Sequence, residues 1–142
     1  MKFLSLACTI FLCLSSQTYA QNVALLLFDG ETGQNFAGCL NCNRYDEASV
    51  CNKYGTYGSK YNDESIWNRY GQFGSRYEGN SPWNRYGEGL RIVDPDGNFY
   101  GRFSLNRYAN GGQSNIQTVQ SLLELYEAGV ELDAMRDLLC EN

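Results

Sequence analysis

Seven basic residues stand directly before a tyrosine, and this pairing is the pattern in the sequence with the clearest chemical meaning. The pairs are Arg44-Tyr45, Lys53-Tyr54, Lys60-Tyr61, Arg69-Tyr70, Arg76-Tyr77, Arg85-Tyr86 and Arg107-Tyr108. Aromatic faces stack on sugar rings or unpaired bases, and neighbouring cations hold anionic groups. With the two tryptophans, the pattern predicts a binding face whose central residues are Trp67, Trp83, Tyr70, Tyr86, Arg69 and Arg85.

A competing interpretation places the same rings in the interior. The chain is poor in leucine, isoleucine and valine, so it needs aromatic side chains to build a core. Lysine and arginine stems can lie along rings that fill the space between stacked segments. For any single ring the core is the favoured location, and the binding face is a hypothesis about the set.

The charge balance limits the partners. The 142 residues include 11 basic and 16 acidic side chains, a net charge of −5. This sign argues against binding to duplex DNA, whose phosphates attract cations. Acidic residues also interleave with the cations, at Asp46, Glu47, Asp63, Glu64 and Glu78. A cell-envelope glycan or another exported protein tolerates this balance better than a nucleic acid does.

Metal sites and cofactors have little support. The chain has no histidine, which removes imidazole bases and imidazole metal ligands. Asp94, Asp96 and Asn98 match positions 1, 3 and 5 of a calcium loop, but position 6 is Phe99 and position 12 is Leu105. These residues are therefore predicted to form a hairpin turn. We predict no metal and no cofactor.

Catalysis remains an alternative hypothesis. There is no nucleophile–histidine pair, no phosphate-binding glycine loop after a strand and no HExxH motif. Two carboxylates could still act as an acid/base pair in a small glycosidase-like hydrolase, but no spacing selects a pair. Asp29 and Glu31, beside Gly30, are weak candidates, and a turn after a strand is the default interpretation.

The N-terminus has the features of a secretory signal peptide over residues 1–20. Lys2 is followed by an apolar run from Phe3 to Leu14, and Thr18-Tyr19-Ala20 offers a cleavage site. The run is too short to cross a bilayer of ~30 Å, and no later stretch is long enough, so no membrane span is predicted. A buried N-terminal helix is the competing interpretation. We expect cleavage after Ala20 and a periplasmic or secreted single domain over residues 21–142.

Four cysteines remain beyond the signal peptide. They are Cys39, Cys42, Cys51 and Cys140. An even number of cysteines in a small exported domain predicts two disulfides, with three pairings open. A redox-active Cys39–Cys42 pair and a four-thiolate zinc site are the alternatives.

The centre of the chain repeats with a period of sixteen residues, in copies at 45–60, 61–76 and 77–89. Each copy has a serine, an asparagine three residues later and a glycine six residues later; the serines are Ser49, Ser65 and Ser81. Serine is a helix N-cap, asparagine can reach back to it, and glycine stops a helix in the left-handed conformation. Each copy is therefore predicted to be one or two helical turns and a loop. Repeats of this kind usually stack on one another.

The flanking segments predict an α+β fold. Residues 23–28 form an apolar strand ended by Asp29-Gly30, and residues 31–38 look like a loop. A β-hairpin spans 90–103, with proline and glycine in its turn. Residues 114–140 form two amphipathic helices capped by Ser114 and separated at Gly129. We predict a small antiparallel sheet, a repetitive aromatic and glycine-rich turn segment, and a C-terminal helical hairpin, stapled by disulfides.

Three motifs occur in a characteristic order: Gly38-Cys39-Leu40-Asn41-Cys42, the Tyr-Gly-x-Tyr/Phe-Gly-Ser copies, and Val93-Asp-Pro-Asp-Gly-Asn-Phe-Tyr-Gly101. Over residues 23–108 the chain resembles small exported bacterial proteins that share these motifs. The resemblance implies export, a bacterial source and the repeats, and it supplies no catalytic residues. The third copy departs from the pattern by ending at Gly87-Glu88-Gly89. The function we expect is an exported, non-catalytic binding or structural module of the bacterial cell envelope.

Overall fold

Four short strands and two helices form the regular part of the structure, a computed structural model in which residues 23–141 are described. The elements are β1 Leu26–Asp29, β2 Phe36–Cys39, β3 Leu90–Val93, β4 Phe99–Phe103, α1 Gln117–Glu127 and α2 Leu132–Cys140. This confirms the predicted α+β fold with a small sheet and two C-terminal helices. The predicted signal peptide at residues 1–20 lies outside the described residues.

The sheet has the strand order β2-β1-β3-β4, and every pair is antiparallel. β1 is a central strand that pairs with β3 from Leu26↔Val93 to Asp29↔Leu90. In the sequence, β2 and the whole repeat segment therefore lie between β1 and β3, two strands that are neighbours in the sheet. The predicted hairpin is present as β3 and β4, and Gly97 adopts a φ of 84° in its turn, a backbone conformation that glycine reaches without strain.

The loop predicted over 31–38 is wrong in its second half, where β2 forms. The Asp29 carboxylate shapes the intervening turn by accepting hydrogen bonds from the backbone N–H groups of Thr32 (2.7 Å) and Asn35 (2.8 Å). That turn returns the chain to pair with β1. The segment Phe-Ala-Gly-Cys has weak strand propensity of its own. It forms a strand because it pairs with β1, and the local sequence does not predict that pairing.

The repeat copies consist of turns rather than the predicted helical turns. The Ser65 hydroxyl accepts a hydrogen bond from the N–H of Trp67 (3.2 Å), which makes a serine turn. The Asn68 side chain accepts from Tyr70 N–H (3.1 Å) and does not reach back to the serine. A side-chain oxygen that accepts from a nearby amide serves a tight turn as well as a helix start, and the sequence does not distinguish the two.

The glycines of the copies allow close backbone approach, which corrects the left-handed conformation predicted for them. None of the glycines six residues after Ser49, Ser65 and Ser81 has a positive φ. A Cβ at Gly71 would lie 2.6 Å from the Asp63 carbonyl oxygen, and one at Gly74 would lie 2.0 Å from that of Asn68. Only a residue without a side chain fits where the chain folds back on itself this tightly.

The core lies where the repeat segment meets the sheet and the helices, and the two tryptophans are at its centre. Trp67 and Trp83 are 2% and 1% exposed. Each indole Nε1 donates to a carbonyl seventeen residues earlier: Trp67 to Val50 (2.7 Å) and Trp83 to Ile66 (2.9 Å). The polar edge of each buried ring is thus satisfied, and the same bond ties each copy to the one before it.

Two disulfides are present, as predicted, and the structure selects one pairing. Cys39 bonds to Cys42, and Cys51 bonds to Cys140. Cys51 occupies the position that Trp67 and Trp83 occupy in the later copies. The first copy is therefore attached to α2 by a covalent bond where the others use an indole hydrogen bond.

The C-terminal helices pack on the repeat segment. α1 begins after Ile116, three residues later than predicted, and no side chain caps its first turn. Gly129 has the expected positive φ (88°) just after α1. Tyr126 of α1 stacks on Trp83 with ring centroids 5.0 Å apart. Within residues 23–141, neither helix is long and apolar enough to cross a membrane.

Candidate functional site

All seven basic–tyrosine pairs share one local structure, which we call the cation–tyrosine turn. In each, a side-chain oxygen two residues before the tyrosine accepts a hydrogen bond of 2.8–3.2 Å from the tyrosine N–H. The acceptors are Asn43, Asn52, Ser59, Asn68, Ser75, Asn84 and Asn106. Short polar side chains stabilise tight turns in this way. The triplet Asn/Ser, Arg/Lys, Tyr is the sequence signal that would have predicted it.

These turns point their tyrosines into solvent. The seven side chains are 78–100% exposed. The other tyrosines among the described residues, Tyr57, Tyr100 and Tyr126, have no basic residue before them and are partly buried. The tyrosines of the cation–tyrosine turns are therefore exposed, whereas the tyrosines without a preceding cation are partly buried.

Four of the seven cations lie over the ring of their own tyrosine. The cation–centroid distances are 5.5 Å for Arg44, 5.3 Å for Lys60, 5.3 Å for Arg69 and 4.9 Å for Arg76. Contacts of this length are favourable cation–π interactions. Arg76 also donates a 2.7 Å hydrogen bond to the Tyr77 hydroxyl, which raises the pKa of Arg76. Cation and ring are therefore presented as one unit.

The structure separates the residues predicted for the binding face. Trp67 and Trp83 belong to the core, because their rings are needed between the stacked copies, and they are removed from the exposed face. Tyr70, Tyr86, Arg69 and Arg85 are all at the surface. The prediction for the tryptophans is thus corrected in favour of the core interpretation, while every tyrosine of the cation–tyrosine turns is exposed.

Three of the cation–tyrosine turns form one wall of an open groove of about 1120 Å³. Tyr61, Tyr70 and Tyr77 line this wall together with the cations that precede them. Tyr126 and residues 129–133, around the connection between α1 and α2, form the opposite wall, and Trp67 reaches the groove from the core. Tyr86 and Arg85 lie outside it. Sequence reasoning missed this grouping because the helical wall, which begins at Tyr126, is far along the chain from Tyr61, Tyr70 and Tyr77.

Acidic residues of the helices pair with some of the cations. Lys60 lies 3.5 Å from Asp133, Lys53 3.3 Å from Asp137 and Arg85 3.8 Å from Glu127. All these groups are substantially exposed, so each pair contributes little to stability. Tyr61 and Asp133 raise the pKa of Lys60. In the described part of the chain, Arg69 and Arg76 make no ion pair, so the groove retains two uncompensated guanidinium groups.

The two buried aspartates have structural roles. Burial by itself would raise the pKa of Asp29, but hydrogen bonds from Thr32, Asn35 and Gln34 outweigh it and bring the pKa to about 2. Hydrogen bonds from Asn98 lower the pKa of Asp94, and Tyr100 also donates to it (2.8 Å). Both groups are ionised and already hydrogen-bonded within turns. A general acid needs a raised pKa, so neither is suited to that role.

A metal site is not evident in residues 23–141, where no group of three or more His, Cys, Asp or Glu is arranged to hold an ion. The Asp94 carboxylate, the first candidate ligand of the calcium-like loop, instead accepts the N–H groups of Asp96 and Asn98 (2.9 Å each). All four cysteines predicted as thiolate ligands or disulfides are in disulfides.

Comparison with protein-family models, with curated proteins and with solved structures finds no match for this chain. The arrangement of side chains in the cation–tyrosine turns and the groove is therefore what supports a function.

Proposed function

We propose that this protein is an exported, non-catalytic binding module of the bacterial cell envelope that recognises an extended glycan through the three cation–tyrosine turns that line its groove. The observation that carries the proposal is the grouping of three exposed tyrosines, Tyr61, Tyr70 and Tyr77, along one groove by one repeated turn. A contiguous exposed aromatic patch marks an interaction site. Here it occurs in a chain that does place large rings in its core, among them Trp67, Trp83 and Phe73.

Rigid presentation of the rings favours binding. The N–H of each tyrosine is held by the turn, and four rings are also held by a cation. Tyrosine has only two side-chain torsions and offers a large amphipathic surface, so ordering it on binding costs little entropy. A sugar ring can stack on the open face of a tyrosine ring, while the sugar's hydroxyl groups accept hydrogen bonds from the neighbouring cation.

The charge distribution favours a glycan over a nucleic acid. Beyond the predicted signal peptide, ten basic residues stand against sixteen acidic ones, a net charge of −6. Three of the seven cations are already paired with acidic residues of the helices. Nucleic-acid binding depends on many uncompensated cations, whereas stacking on sugar rings does not.

Export is supported by the sulfur chemistry and by the sequence at the N-terminus. Two disulfides in a small domain are typical of oxidising compartments. The charged start, the apolar run and the small residues before Gln21 fit a cleaved signal. Both features agree with a periplasmic or secreted location.

Binding of the purified protein to insoluble bacterial envelope polysaccharide tests the proposal. We expect Tyr70→Ala/Tyr77→Ala to weaken binding by about a hundredfold, because each stacking ring contributes about 1–3 kcal/mol. Tyr108→Ala is the matched control, since Tyr108 has the same turn and exposure but lies outside the groove. Unchanged binding in the double variant, or wild-type protein that captures only another protein and no polysaccharide, would reject the proposal.

A further inference from the structure

The groove has a charge pattern that the other cation–tyrosine turns lack. Its tyrosine wall carries three cations, Lys60, Arg69 and Arg76, and its helical wall carries Glu131 and Asp133. Lys60 and Asp133 neutralise each other across the groove at 3.5 Å. The charged groups that remain in the groove are the guanidinium groups of Arg69 and Arg76 and the carboxylate of Glu131.

We infer that this groove is a subsite for an acidic glycan, whose carboxylates are bound by Arg69 and by Arg76. The inference rests on the proposed function and adds the chemical class of the ligand: a glycan that contains uronic acid residues. Guanidinium groups bind carboxylates through paired, charge-assisted hydrogen bonds, which an ammonium group does not match in geometry.

Arg69 and Arg76 are already oriented for this task. Each lies over its own tyrosine ring, at 5.3 Å and 4.9 Å, so its plane is positioned before a ligand arrives. A guanidinium has five N–H donors, and Arg76 uses one of its nitrogens to donate to the Tyr77 hydroxyl, so N–H groups remain for a carboxylate. Asn68 and Ser75, which accept the tyrosine N–H groups, fix the backbone that carries the two cations.

The walls suit the remainder of the sugar chain. Tyr61, Tyr70 and Tyr77 offer stacking surfaces along one side, and Val130 and Leu132 supply apolar contact on the other. Glu131 is the groove acceptor for sugar hydroxyl groups. At about 1120 Å³ the groove is larger than the ~300–1,000 Å³ typical of a small-molecule pocket. It therefore accommodates a segment of a polymer rather than one isolated sugar.

The test compares bacterial envelope polysaccharide in its native form with the same material after chemical reduction of its carboxyl groups to alcohols. We expect the native form to bind at least about tenfold more tightly, because a hydrogen bond to a charged group is worth ~1.5–3 kcal/mol. The preference should decrease as salt is raised. Arg69→Gln/Arg76→Gln should remove the preference, so that the native and reduced forms bind this variant with equal affinity.

Arg107→Gln is the matched control, because it removes a cation from a turn outside the groove and should keep the preference. All three arginines are exposed, so the variants are expected to fold, and circular dichroism checks this. Equal binding of native and reduced polysaccharide by the wild type would overturn the inference and leave the proposed function standing. A preference that survives in Arg69→Gln/Arg76→Gln would also overturn it. Absence of binding to both forms would overturn the proposed function itself.

Discussion

The two disulfides should make very different contributions to stability, because they close loops of very different length. Cys51–Cys140 joins residues 89 apart in sequence, and Cys39–Cys42 joins residues 3 apart. The chain-entropy relation assigns about 4.6 kcal/mol to the long loop and about 1.8 kcal/mol to the short one. Removing the long-range bond should therefore lower the free energy of unfolding by about 3 kcal/mol more than removing the short one.

The comparison uses Cys51→Ala/Cys140→Ala and Cys39→Ala/Cys42→Ala, measured by urea unfolding at pH 7. Alanine avoids placing an unsatisfied hydroxyl at Cys39, which is fully buried. Loss of packing falls mainly on that buried position, since Cys51 and Cys140 are half-buried. Loss of packing alone would therefore destabilise Cys39→Ala/Cys42→Ala more, which is the opposite of the order expected from loop length. In thermal unfolding the difference corresponds to roughly 12 °C, at about 4 °C per kcal/mol for a domain of this size.

The same reasoning predicts the behaviour under reductant. Dithiothreitol breaks both disulfides, so it should lower the stability of the wild type to slightly below that of Cys51→Ala/Cys140→Ala without reductant. It should also lower that of Cys39→Ala/Cys42→Ala by a similar large amount, because this variant still contains the long-range bond. Equal losses in the two alanine pairs, or a larger loss in Cys39→Ala/Cys42→Ala, would refute the loop-length argument.

Three further changes test the turns and the core. Asp29→Asn should cost about 2 kcal/mol at pH 7, from a pKa lowered from 3.8 to about 2. The pKa of Asp29 is lower in the folded state than in the unfolded state, so its contribution to stability is complete above about pH 5 and disappears as pH falls towards 2. The difference in unfolding free energy between the wild type and Asp29→Asn, measured in urea, should therefore be smaller at about pH 2.5 than at about pH 7. Trp83→Phe leaves the Ile66 carbonyl without its partner and should cost about 1–3 kcal/mol in thermal unfolding. Gly74→Ala places a Cβ 2.0 Å from a carbonyl oxygen and should cost at least about 1–3 kcal/mol, whereas Gly79→Ala, whose nearest neighbour is 3.3 Å away, should be close to neutral.

Each of these expectations has a contrary result. A pH-independent cost for Asp29→Asn would mean that the carboxylate charge is not what its partners stabilise. Wild-type stability in Trp83→Phe would show that the indole bond contributes nothing beyond ring packing. Equal effects of Gly74→Ala and Gly79→Ala would show that close approach is not the reason for glycine in the copies.

Several elements were predictable because their signals are local. The hairpin over 90–103 follows from a proline–glycine turn between two apolar segments, and the two C-terminal helices follow from apolar periodicity and Gly129. The number of disulfides followed from an even cysteine count, but their pairing did not. β2 was missed because its strand exists only through pairing with β1.

The candidate site was predictable in its residue types but not in its grouping. The pairing of a basic residue with tyrosine is visible in the sequence, and all seven of these tyrosines are exposed. The same pattern gave no means of separating Trp67 from Tyr70, three residues away. Nor did it place the acidic connection between α1 and α2 opposite Tyr61, because that contact spans the fold.

The amino-acid sequence by itself determined where the hairpin turn lies, where α1 ends, and how many disulfides form. These depend on interactions between residues a few positions apart. Only the tertiary structure decided which aromatic rings are inside, which cysteine closes the long loop, and which three tyrosines share a groove. Those outcomes depend on the free energy of burying distant segments against one another, and that energy is not contained in any local stretch of the chain.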